Sequence, residues 1–73
     1  MSSKKKTSLR WRMLQAAIAH VEGKIASHRA NVEIYLENPT GIGEHPEVME
    51  SLVSEMKQIA EYQDILEVAK EIL

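Results

Sequence analysis

Cysteine and phenylalanine are absent from this chain, proline occurs twice, glycine three times, and one Trp and two Tyr are its only aromatics. Without cysteine there is no disulfide to staple a small domain and no thiolate to hold a metal, and the composition suits a reducing compartment. With only Trp11, Tyr35 and Tyr62 as aromatics, the core must be built from Leu, Ile, Val, Met and Ala. No apolar run approaches the roughly 18 residues of a membrane span, so no membrane partner is expected. The opening MSSKKKTS is basic, but Arg10 and Arg12 interrupt the stretch a signal peptide keeps apolar. The expectation is one soluble, cytoplasmic domain of 73 residues. A domain of that size buries only about 60% of the surface its unfolded chain exposes, and is marginal alone.

What the chain does have is two apolar stripes at helical spacing. Trp11, Leu14, Ile18, Val21, Ile25, His28, Val32 and Tyr35 follow one another at alternating steps of three and four. Met49, Leu52, Met56, Ile59, Tyr62, Leu66, Ala69 and Leu73 do nearly the same. This is the pattern of two amphipathic helices. Residues 1–7, Ser, Lys and Thr after the initial Met, read as a flexible basic tail with nothing to bury. Ser8 or Thr7 suits an N-cap, and a first helix is expected over residues 8–38, ended by the Asn38–Pro39 pair. Residues 39–45 form the loop, in which Gly41 and Gly43 permit positive φ. Pro46 suits the first position of a second helix over residues 46–73, with Glu47 and Glu50 where the helix dipole favours acids.

Folded back at about Ile42, the stripes match from end to end, residues facing one another when their numbers sum to about 83 or 84. Val32 then meets Leu52, His28 meets Met56, Ile25 meets Ile59, and Trp11 meets Leu73. The fold class is therefore all-α, a coiled-coil-like antiparallel two-helix hairpin. Charge supports this direction. Residues 1–31 hold seven basic residues and one acid, a net +6, and residues 32–73 hold two basic residues and ten acids, a net −8. Arg10 and Arg12 have the wrong sign for a helix start, as Glu67 and Glu71 have for a helix end, and antiparallel folding brings them together. Exposed pairs of this kind contribute about 0–1 kcal/mol each, so they select the topology more than they hold it.

Apolar residues exceed what one hairpin can cover. Ile65, Val68 and Ile72 lie beside Leu66, Ala69 and Leu73, and further alanines sit off the first stripe. A second hairpin would cover them, so a homodimer forming a four-helix bundle is expected, with these six residues as the interface to a second copy or another protein.

Candidate chemistry is sparse. His20, His28 and His45 raise the question of a metal, but no Glu-x-x-His is present, His20 faces outward and His45 lies in the loop. His28 alone falls on the core stripe, where a hydrogen bond to Glu55 or Gln58 across the hairpin accounts for it. The carboxylates of the second helix read as a solvated face, not as acid/base pairs with separated pKa values. Ser27, Ser51 and Ser54 lack a base and an orienting group, and the loop glycines lack the preceding strand and Lys-Ser/Thr of a phosphate loop. No enzyme activity, metal or cofactor is expected. Lys4, Lys5 and Lys6, with Arg10 and Arg12 flanking Trp11, are the candidates for a nucleic-acid contact, through phosphates and counterion release. The alternative for these groups is a solubilising tail facing the acidic end of the second helix.

The segment VEIYLENPTGIGEHPEVMESL resembles one in short helical-hairpin proteins of bacteriophages and marine viruses, in which a YL-x-NP-x-GIGEHP-like loop joins two helices. The matching positions are Tyr35, Leu36, Asn38, Pro39, Gly41, Ile42, Gly43, Glu44, His45 and Pro46. The resemblance covers about a third of the chain and brings no known activity with it. It implies a phage origin, a host-cytoplasmic setting, and a role for Glu44 and His45 beyond turning the chain, the alternative being that they cap the second helix. The function expected is a small interaction protein working through helix faces, with a nucleic-acid accessory protein using its basic arm as the alternative.

Overall fold

A computed structural model describes residues 8–37 and 46–73. They form two helices, α1 (Leu9–Leu36, 28 residues) and α2 (Pro46–Ile72, 27 residues), packed against each other along their length as an antiparallel hairpin. At 1.5 Å per residue each helix is about 40 Å long. α1 begins one residue later than the sequence suggests, because Ser8 is its N-cap, and α2 ends one residue earlier, at Ile72. Ser8 keeps an extended backbone (φ −66°, ψ 151°), and its Oγ accepts the Trp11 N–H at 3.1 Å. At the other end Glu37 closes α1, its N–H donating to the Glu33 carbonyl at 3.0 Å.

Every member of the first stripe turns inward. Ile18 and Val21 are buried, and Trp11, Leu14, Ile25, His28, Val32 and Tyr35 are half-buried. The second stripe needs correcting. Met49, Met56 and Leu73 are exposed, and the inward positions are Val48, Leu52, Glu55, Ile59, Tyr62, Leu66 and Ala69. These follow one another at steps of four and three without a break. The His28 layer is thus closed by Glu55, one position earlier than the Met56 the stripe suggested. At 28 + 55 = 83 the pairing keeps the expected register.

The interior is thin, as a single seam must be. Among the described residues four apolar ones are buried, Ile18, Val21, Leu52 and Ala69, and no side chain is wholly removed from solvent. Among the described residues no helix is long and apolar enough to cross a membrane.

Candidate functional site

The most structured chemistry lies in the seam. His28 Nδ1 and Glu55 Oε1 are 2.6 Å apart, and Asn31 Nδ2 donates to the same oxygen at 3.1 Å. The Tyr62 ring stacks on the His28 imidazole, centroids 5.9 Å apart and planes 18° from parallel. The hydrogen bonds from His28 and then from Asn31 hold the Glu55 carboxyl below its ordinary range, against the opposing pull of desolvation. α1 supplies His28 and Asn31 three positions apart, on one face, and α2 brings Glu55 and Tyr62 into the seam one heptad apart. Of the two partners the sequence offered for His28, the structure selects Glu55. This group can hold two helices in one register. The described residues contain no cluster of His, Cys, Asp or Glu arranged to take a metal ion.

Outside the seam, the hairpin has two distinct sides. One carries a shallow groove of about 350 Å³ lined by Glu22, Ile25, Ala26, Arg29, Gln63 and Leu66. Counted around each helix from its inward positions, the opposite side carries Arg10, Met13, Ala17 and Lys24 from α1, with Glu61, Ile65, Val68 and Ile72 from α2. Arg10 reaches across this side and donates from Nη2 to the Ile72 carbonyl at 2.9 Å, satisfying an end carbonyl of α2. Arg10 and Arg12 form no ion pair with Glu67 or Glu71, contrary to expectation; what forms at the open end is the contact of the Arg10 guanidinium with the last turn of the neighbouring helix.

The six residues expected at an interface divide between two settings. Ala69 is buried and Leu66 half-buried within the hairpin itself. Ile65, Val68 and Ile72 remain 48%, 52% and 52% exposed, and Leu73 is exposed beside them. Sequence reasoning missed other exposed apolar side chains, Met49, Val53 and Met56 on α2 among them. The signal for Val53 was its exclusion from either stripe.

The candidate nucleic-acid contacts are in part beyond description. Arg10 and Arg12 are exposed at the start of α1, the former engaged with Ile72. Lys4, Lys5 and Lys6 lie outside the described residues, as do Asn38, Pro39, Gly41, Gly43, Glu44 and His45 of the loop motif. Pro46 opens α2, as its fixed φ favours. Compared with protein-family models, with curated proteins and with solved structures, the chain finds no match.

Proposed function

We propose that this is a small, non-enzymatic interaction protein that self-associates through its helix faces, a homodimer completing a four-helix bundle. The observation that carries the reading is the row Ile65, Val68 and Ile72, each about half exposed on a side of the hairpin that its own helices do not cover. Scattered exposed apolar residues are ordinary, but among the described residues eleven large apolar side chains are exposed against four apolar residues buried, and three of the exposed ones share this row. The acids of α2 other than Glu55 are exposed, which favours a solvated charged face over a reaction centre. A phage origin and a host-cytoplasmic setting rest on the loop motif alone.

Absolute mass in solution, from light scattering behind size exclusion, tests the reading: a dimer is expected, and a monomer at every concentration would overturn self-association. The second reading, a nucleic-acid accessory protein, rests on the net +6 of residues 1–31. It separates by deletion of residues 1–7 and by salt. Self-association should survive the deletion, whereas phosphate-based binding should be lost with it and should fall steeply as salt rises.

A further inference from the structure

Resting on that self-association reading, we infer that the partner is a second copy lying face to face with the first, its two-fold axis parallel to the helices. Each α1 then opposes the other copy's α2, with all four helix ends near Leu36 and Pro46 at one end of the bundle. The contact is made by the side opposite the groove.

Two features on that side select the arrangement. The first is the height of its apolar residues. Pairing in the hairpin follows a sum near 83, from Arg10 with Ile72 and from His28 with Glu55, so Met13 and Ala17 of α1 lie at the level of Ile65, Val68 and Ile72 of α2. With the axis along the helices these heights are preserved. The large side chains of each α2 fall on Ala17 and the exposed Met13 of the other copy. With the axis across the helices the row Ile65, Val68 and Ile72 would instead meet the far half of α2, where this side carries Glu47, Ser51, Ser54 and Gln58.

The second feature is charge. On this side α1 carries the cations Arg10 and Lys24 and no acid, and α2 carries Glu47 and Glu61 and no cation. Neither Lys24 nor Glu61 has an ion-pair partner within the hairpin, so both are available, within about half a turn of the same height. An axis along the helices sets each Lys24 against the other copy's Glu61 at two equivalent places. An axis across them sets α1 against α1 and α2 against α2, so that Lys24 approaches a second Lys24 and Glu61 a second Glu61. Opposite charges in facing positions decide orientation even where they add little affinity.

Because the chain has no cysteine, one introduced cysteine gives one label. Glu50→Cys and Glu71→Cys, both exposed on α2 and 21 positions apart, are spin-labelled and inter-copy distances read by double electron–electron resonance. The arrangement requires both same-site distances to be shorter than the distance in a mixed dimer labelled at 50 in one copy and 71 in the other, since the mixed pair is offset by about 32 Å along the axis. The reverse order, in a dimer, overturns the arrangement and leaves self-association standing. A monomer at every concentration overturns both. Val68→Glu should raise the dimer dissociation constant at least tenfold while Val53→Glu, on the groove side, changes it less than twofold, and the opposite result overturns the face. Should Val68→Glu lose its helicity, Lys24→Glu leaves every apolar contact in place. It should weaken the dimer severalfold, most at low salt, and no effect there overturns the charge pairing.

Discussion

Among the described side chains, Leu52 is the one buried apolar residue on the half of α2 nearest Pro46, 6% exposed, and Met56, one turn on, is 49% exposed. A comparison of Leu52→Ala with Met56→Ala therefore tests which face of α2 is turned inward. Leu→Ala removes three carbons, each worth about 0.8 kcal/mol when buried, or about 2.4 kcal/mol in transfer. The cavity term adds little, because a two-helix seam has solvent on both sides and can close over the gap. The expected loss is about 2–3 kcal/mol, the lower part of the range for buried leucines. Against a total of about 4–11 kcal/mol for a chain of this length, that is a quarter to well over half of the stability, and a fall in Tm of about 10–20 °C. Met56→Ala should stay within about 0.5 kcal/mol of the parent. Thermal unfolding followed by far-UV circular dichroism, at protein concentrations low enough to hold the monomer, reads both. If Met56→Ala costs as much as Leu52→Ala, α2 is rotated and the Glu55 layer is misplaced.

Three further outcomes follow from the caps, the one helical glycine and the polar layer. Gly23→Ala should stabilise by about 0.5–1 kcal/mol in the same melts, since a Cβ there meets nothing within 4 Å and alanine loses less backbone freedom on folding. Ser8→Ala should cost about 1 kcal/mol through loss of the bond to the Trp11 N–H, with Ser8→Thr close to the parent. Because the Glu55 carboxyl is held below its ordinary value of 4.5, its contribution is complete above that pH and is lost as pH falls through the lowered value. Urea midpoints between pH 6 and pH 3 should fall less in Glu55→Gln than in the parent, and parallel curves would refute that role.

The first helix could be read from the sequence almost to the residue, because every position of its stripe from Trp11 to Tyr35 is apolar or, at His28, lies between Ile25 and Val32 along the stripe. The second was read with three of its positions wrong. A stripe built on hydrophobicity prefers Met49 and Met56 to Val48 and Glu55, since a carboxylate is expected outside. Glu55 is inside because its partners lie on the other helix, and only the register reveals them. Pairing across the hairpin, not hydropathy, is what offers Glu55 or Gln58 as the partner of His28. For the candidate interface, spacing showed which residues belong to the apolar row, but not that Leu66 and Ala69 are spent within the hairpin while Ile65, Val68 and Ile72 remain outside. That division depends on the rotation of α2 by less than one position.

The His28–Glu55 layer also bears on how the chain finds its fold. Most layers of the seam are apolar, and apolar side chains accept one another in many alignments at similar cost, so a sliding hairpin has several nearly equivalent stops. A slip of one layer would set His28 against Leu52 and Glu55 against Ile25, or His28 against Ile59 and Glu55 against Val32. In either case a half-buried carboxylate loses both of its hydrogen bonds at once. One polar layer thus proofreads the alignment of some forty ångströms of helix, rejecting wrong stops more than it deepens the right one.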